Sequence, residues 1–476
     1  MNNPHPPGTQ IREVIALLLT LLTLGAIVAR AWGYLPSDDT HSQLENTSQV
    51  KTSQVGNFNE RLFDIQAKFM VGAVNYYKNN VSNSTQLNNL LKGFEEQFLN
   101  VNLEQSKKSD TRVLQKQLAL AIYLDLNPLA DKLSNFLEYD STSSSYTLRK
   151  AREQLNANTL LLTEPELNQL TSDLGWYGEL ISLKLNGSDS KSSSSITDIQ
   201  KSFEVLLRAI AIVSVLFTVS IFLFLVYCYL FSKGKQTFSF QQSTVPSYLL
   251  LEIFLLYLAA MHFLPDLADF LFAAEQRSNY ILLNIVAISS LISLLFWPTI
   301  FKIKISAIAD TLGLKITDIK QLILSVVYGL VGYLTAIAPL ILVLFGYSAI
   351  LSLLKVSPLQ GTHPIIPIML SDNSSNFQIQ ILILAVVVAP IIEELMFRGV
   401  LFSWFRLRFG ATFTIITSGL IFAAIHPQGA IGLVPLGFIG IALGFLREWR
   451  NSIIASMVAH ACFNFGTLML VNALLT

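Results

Sequence analysis

Residues 385–402 read AVVVAPIIEELMFRGVLF, an apolar run interrupted by Glu393, Glu394 and Arg398. On insertion scales each ionised side chain in the middle of a membrane helix costs roughly 2.5 to 3.5 kcal/mol. A helix that keeps three of them must pair them or use them. Glu394 and Arg398 are four positions apart, the spacing that sets a carboxylate and a guanidinium on one helix face and lets them share the desolvation cost. Glu393 points about 100° away on a helical wheel. It lacks that local partner, and an unpaired carboxylate inside a membrane marks a functional site.

The whole chain suits that setting. Of 476 residues, 52% are hydrophobic and 13% charged, the mean hydropathy is +0.51, and a soluble domain carries about 25% charged residues. The composition is that of a membrane protein, with the lipid bilayer as a partner. Formal net charge is +0 and no basic block stands out, so nucleic acid is excluded as a partner. Cys228 and Cys462 lie far apart in apolar segments, which offers neither a disulfide framework nor a CxxC metal knuckle. They read as packing residues.

Apolar segments near 11–31, 205–231, 247–273, 279–301, 321–354, 377–405, 411–426, 429–447 and 452–474 give about nine spans, at the roughly 20 residues a helix needs to cross. The fold class expected is all-α, a polytopic transmembrane bundle. The 321–354 segment is long enough to be tilted or broken, and Gly440 and Gly444 form a GxxxG packing face. Residues 11–31 read as an uncleaved anchor rather than a signal peptide, because the apolar stretch is long and only Arg12 supplies a positive n-region.

Between the first two spans lies a polar region with helical periodicity in Phe58, Leu62, Ile65, Phe69 and Ala73 and again in Val113, Leu114, Leu118 and Ile122. The division is therefore an anchor at 1–31, a helical domain with its linker at 32–203, a second span and loop at 204–244, and a membrane core at 245–476. STSSSY at 141–146 reads as a loop and SDSKSSSSIT at 188–197 as a linker. Lys233, Lys235, Lys302, Lys304, Lys315, Lys320, Arg406, Arg408, Arg447 and Arg450 all fall on one side if the spans alternate. By the positive-inside rule that side is the cytoplasm, which puts the N-terminus inside and residues 32–203 outside. The setting implied is the plasma membrane or another internal membrane of a prokaryote.

Downstream of Glu393, two further spans carry polar pairs at helical spacing, Phe422 with His426 and His460 with Asn464. Imidazole is the side chain best suited to proton transfer near neutral pH. At about 1.5 Å per residue, Glu393 lies roughly 25 Å and His426 roughly 24 Å from Gly410, whereas His460 lies roughly 13 Å and Asn464 roughly 20 Å from Asn451. Glu393, His426 and Asn464 are thus expected to share a layer, with His460 above it.

Glu393-Glu394-x-x-x-Arg398, Phe422-x-x-x-His426 and His460-x-x-x-Asn464 resemble, in order, the three motifs of the CPBP family. These are the CAAX-protease and bacteriocin-processing (Abi) intramembrane glutamic endopeptidases, which include the Ras-converting CAAX prenyl protease. The resemblance implies hydrolysis of a peptide bond in a membrane-associated protein or peptide. It further implies that Glu393 and His426 activate a water, that His460 and Asn464 stabilise the oxyanion, and that Glu394 and Arg398 support them from behind. Amide hydrolysis needs such a base and such donors, and a water-poor cavity strengthens both.

There is no HExxH, no GxSG, since Ile416-Thr417-Ser418-Gly419 lacks the first glycine of the serine motif, and no aspartate in the last four spans to offer another protease chemistry. No cofactor is expected. The alternative is a zinc enzyme in which Glu393, His426 and His460 form a His2Glu ligand set. A non-catalytic scaffold, an immunity protein or a transporter would use the polar cluster otherwise, though no matching halves mark a transporter. The domain at 32–203, which holds no catalytic constellation, is expected to select or deliver substrate.

Overall fold

A computed structural model describes residues 7–31, 63–64, 66–78, 84–99, 111–140, 142–157, 162–186, 194–233, 245–271, 295–314, 318–353, 375–426 and 429–475. Among the described residues every regular element is helical and there is no strand. The chain forms two compact units, one of residues 1–42 with 212–471 and the other of 43–211 with 472–476. In chain order the helices begin with α1 (Pro7–Ala31), α2 (66–78), α3 (Ser84–Leu99), α4 (Thr111–Tyr123) and α5 (Asn127–Phe136). They continue through α6 (Ser143–Ala157), α7 (Glu164–Leu174), α8 (Trp176–Asn186) and α9 (Ser194–Ser232).

The smaller unit is a helical domain built on α4. Leu114, Leu118 and Ile122 bury the face that the periodicity gives them, against Leu133, Leu148, Tyr177 and Ile181. On α2 the inward face is Ala67, Met70, Val71 and Val74, with Ala73 also buried. Phe69, expected inside, is exposed and meets only the edge of the core through Phe203 at 5.6 Å. Phe58, Leu62 and Ile65 lie outside the described residues.

The stretch STSSSY is not a loop, because α6 begins at Ser143. Asp140 makes that start possible by accepting from the Thr142 backbone N–H at 3.2 Å and from the Thr142 and Ser145 hydroxyls, while Gln115 donates to Thr142 and Ser145. Gln115 and Ser145, so satisfied, can be buried. The expected linker at 188–197 is likewise helical from Ser194 onward, as the first turn of α9. At the start of α7, Thr163 and Glu166 form a reciprocal cap, and Lys150 together with Thr163 holds the Glu166 carboxyl down at about 2.

The larger unit holds α1, the second half of α9, then α10 (Ser247–Leu271), α11 (Ile305–Leu312) and α12 (Ile319–Leu353). After these come the composite helix α13 over 375–406, α14 (Ala411–Ala424), α15 (Gly429–Arg450) and α16 (Ile453–Leu475). Among the described residues six helices are long and apolar enough to cross a membrane: Ile11–Val28, Thr197–Ser232, Ile319–Leu351, Ile379–Arg406, Gly432–Arg450 and Ile453–Leu470. Ser247–Met261 and Ala411–Ala424 are apolar but shorter. Most of the span expected at 279–301 lies outside the described residues. Leu22, Phe222 and Phe345 are 70%, 65% and 72% exposed, an arrangement stable only where the surroundings are themselves apolar.

α12 runs unbroken through Pro339. Proline has no N–H for the carbonyl four residues back, that of Thr335, and Ser220 of α9 supplies the missing donor at 3.1 Å while accepting from Ala338 N–H at 2.8 Å. The GxxxG face packs through Gly440, where a Cβ would stand 2.7 Å from the Gly419 carbonyl oxygen. Gly444 has ordinary clearance, so the close approach belongs to Gly440 and the unforeseen Gly419.

α1 is bound into this unit by charge. Arg12 makes a two-pronged ion pair with Glu252 of α10 and lies over the rings of Phe301 and Tyr248 at 4.5 and 4.9 Å. Glu13 accepts from Ser247 at 2.8 Å and pairs with Arg408 at the end of α13. The start of α1, the start of α10 and the end of α13 therefore share one end of the bundle.

Candidate active site

α13 is assembled from α-helical pieces, Ser375–Ile383, Ala389–Glu394 and Phe402–Arg406, separated by π-helical turns at Leu384–Val388 and Leu395–Leu401. Such turns are uncommon and recur at functional sites. The first has a local cause. Ala389 N–H bonds to Leu384 O across five residues, and the next rung would run from residue 390, which is proline and has no donor. Ala385 O is left for another partner, and Asn464 Nδ2 of α16 provides it at 2.8 Å. The second turn is supported from outside, where Arg447 Nε donates to Arg398 O at 3.1 Å and its Nη2 to Thr311 O at 3.2 Å.

Glu394 and Arg398, both 0% exposed, form the i, i+4 pair their spacing predicts, with Arg398 Nη1 donating to Glu394 Oε1 at 2.8 Å. Arg398 Nη2 also donates to Gly440 O at 2.9 Å, and the guanidinium lies 4.5 Å from the centre of the Phe422 ring. Further hydrogen bonds help a buried ion pair to offset its desolvation. His460 supplies one, with Nδ1 standing 2.9 Å from the same Glu394 oxygen.

A carboxylate oxygen accepts, so His460 Nδ1–H donates and the ring turns Nε2 away from Glu394. His426 follows the same logic. Its Nδ1 lies 2.6 Å from Phe422 O, which also can only accept. Both Nε2 atoms consequently face one atom, Glu393 Oε2, at 3.8 Å from His426 and 3.7 Å from His460. Glu393 Oε2 is buried and makes no hydrogen bond within the protein. These separations exceed a direct hydrogen bond, and one oxygen at about 2.8 Å from each atom would span them. Phe422 packs against both imidazoles, at 4.5 Å from the His426 ring and 5.7 Å from that of His460.

Glu393 and His426 keep 22% and 18% of their side chains accessible, against 0% for Glu394 and 5% for His460. The site is thus open on the side of Glu393 and His426 and closed behind.

Glu393, His426 and His460 meet, but the layer expected from residue counting is different. His460 joins Glu393, whereas Asn464 reaches Ala385, eight residues back along α13. The counting treats Asn451 as an edge level with Gly410, but the start of α16 is drawn into the protein. Arg447 and Ile453, on either side of the turn before α16, are 1% and 0% exposed, and Ile453 N–H bonds to Gly313 O at 3.2 Å. His460 accordingly lies deeper than its distance from Asn451 suggests.

Two contributors escape the sequence reading. Arg447 looks like an orientation-setting loop charge yet is buried against Gly313, Thr311 and the Arg398 carbonyl. Pro390 looks like one more apolar residue, and its signal was the missing N–H three residues before Glu393. As for metal, Glu393, His426 and His460 offer the donor types of a His2Glu zinc set. Among the described residues, however, no three His, Cys, Asp or Glu side chains converge in a geometry that holds a metal ion.

Residues 375–466, which span α13 to α16 and contain all seven motif residues, match the family model described as type II CAAX prenyl endopeptidase Rce1-like. No curated protein and no solved structure matches the chain.

Proposed function

With residues 375–466 Rce1-like, we propose that this integral membrane protein is an intramembrane endopeptidase of the CAAX-processing type, with Glu393 as its general base. One observation supports this above the others: two imidazole Nε2 atoms converge on one carboxylate oxygen, Glu393 Oε2, that makes no hydrogen bond within the protein. That oxygen belongs to a side chain that keeps 22% of its surface accessible, whereas the unpartnered Glu394 Oε2 belongs to a fully buried one.

In the proposed reaction Glu393 Oε2 takes a proton from a water held between it and His426 Nε2. The resulting hydroxide attacks the scissile carbonyl carbon, and the carbonyl π electrons move onto oxygen to give a tetrahedral oxyanion. His460, fixed through Nδ1–H on Glu394, aims Nε2 at the same space and, when that nitrogen carries a proton, donates to the oxyanion. Collapse breaks the C–N bond, and Glu393 returns its proton to the leaving amine. The resemblance adds Asn464 to the oxyanion site. The partners are a membrane-associated protein or peptide, prenylated in the CAAX case, and the lipid around it.

The clustering of Arg408, Glu13, Arg12 and Glu252 at one end of the unit supports the reading that this end faces the cytoplasm. On the glutamate mechanism the purified protein retains cleavage in a high-affinity zinc chelator and carries substoichiometric zinc. Loss of activity in chelator, restored by added zinc, would instead favour the His2Glu metalloprotease.

A further inference from the structure

We propose that Asn464 is a positioning residue for Glu393, acting through the gap that Pro390 opens in α13. The inference rests on Glu393 being the base and departs from the oxyanion role that the motif resemblance gives Asn464.

Three observations carry it. First, the backbone ladder is interrupted at one defined rung. Ala389 N–H reaches Leu384 O, residue 390 has no N–H to reach Ala385 O, and Asn464 Nδ2 fills that place at 2.8 Å. Second, the same chemistry recurs in the same unit without any motif attached. Pro339 frees Thr335 O, and Ser220 from a neighbouring helix donates to it at 3.1 Å. A polar side chain serving a proline-orphaned carbonyl is thus how this bundle satisfies its backbone in an apolar medium.

Third, the gap lies where register matters most. A π-helical turn adds a residue to the ladder, and one residue rotates all that follows by about 100°. Glu393 is three positions beyond Pro390, so closing the turn would swing it away from His426 and His460. Asn464 lies four residues after His460 on α16. One helix therefore carries both the imidazole that faces Glu393 and the amide that keeps Glu393 facing it.

The test is a double-mutant cycle on the full-length protein in detergent, with Asn464→Ala, Pro390→Ala and their combination, and with Asn464→Ser as a variant that keeps an O–H donor. Melting temperature and the pH profile of kcat/KM on a peptide substrate are read for each. The expected result is that Asn464→Ala lowers the melting temperature by a few degrees, reduces kcat at least tenfold and displaces the acid limb of the profile, because Glu393 has lost its imidazole neighbours. Asn464→Ser recovers part of each effect. In the Pro390→Ala background, where residue 390 brings its own N–H to Ala385 O, Asn464→Ala causes no further loss of melting temperature.

Equal thermal losses with and without Pro390, together with a uniformly lowered profile whose limbs do not move, would overturn the proposal and return Asn464 to the oxyanion. Thermal coupling with unchanged kcat and profile would also overturn it, by reducing the contact to structural support. The thermal arm needs no turnover, so it reads the Pro390–Asn464 linkage even if Glu393→Gln proves active and the glutamate mechanism itself fails.

Discussion

Replacing Glu393 by Gln is expected to abolish peptide cleavage while leaving the protein folded in its detergent micelle. The amide keeps the shape of the carboxylate but cannot take a proton from water, and loss of a positioned general base costs roughly 10²- to 10⁴-fold in rate. Folding should be spared for a reason visible in the site. Glu393 Oε2 makes no hydrogen bond within the protein and stands 3.7 to 3.8 Å from the Nε2 atoms of His426 and His460, so neutralising it breaks no direct hydrogen bond. A melting temperature equal to or slightly above that of the parent is the predicted signature, since a partly buried charge has been removed. Turnover assays and thermal melts on the same preparations check both halves, and unchanged turnover removes Glu393 from the mechanism.

Arg398→Ala should show the opposite pattern, with damage to the fold as well as to activity. The guanidinium bridges Glu394 and Gly440 O and stacks on Phe422. Its removal strands the fully buried Glu394 carboxylate, at a cost of about 3 to 5 kcal/mol for breaking a buried pair. His460 loses its alignment as a consequence, because its Nδ1 shares the Glu394 oxygen that Arg398 holds. Adding Glu394→Gln should restore part of the lost stability, since the stranded charge is gone and the Gln carbonyl still accepts from His460 Nδ1–H. Strictly additive losses in melting temperature would contradict the coupling.

The charged residues of α13 were legible because a membrane makes each of them expensive, so their spacing had to mean pairing or use. Glu394 and Arg398 pair as the four-residue spacing requires, and Glu393 is the one left facing His426 and His460. Helical spacing also brought Phe422 with His426, whose ring is fixed on the Phe422 carbonyl one turn back. What one-dimensional counting could not supply was depth. His460 takes the place expected for Asn464, and Asn464 lies one turn beyond, because buried Ile453, tied to Gly313, starts α16 inside the protein.

In the other unit the serine run at 141–146 reads as a loop by composition, and only Asp140 and Gln115, distant or preceding in sequence, turn it into the start of α6. Phe69 fails for a related reason. Several apolar faces were available on its helix, and the core selected Met70 and Val74. Residues whose role is to satisfy another residue's backbone, such as Ser220 and Arg447, are silent until the neighbour is seen.

The central claim is that Glu393, flanked by His426 and His460, hydrolyses a peptide bond of a CAAX-type substrate. Mass spectrometry of a prenylated CAAX peptide incubated with the purified protein, in parallel with its Glu393→Gln variant, tests it most directly. The account predicts that the parent releases the C-terminal tripeptide and that the variant leaves the peptide intact. Equal amounts of product from both proteins, or an intact peptide with both, would contradict it.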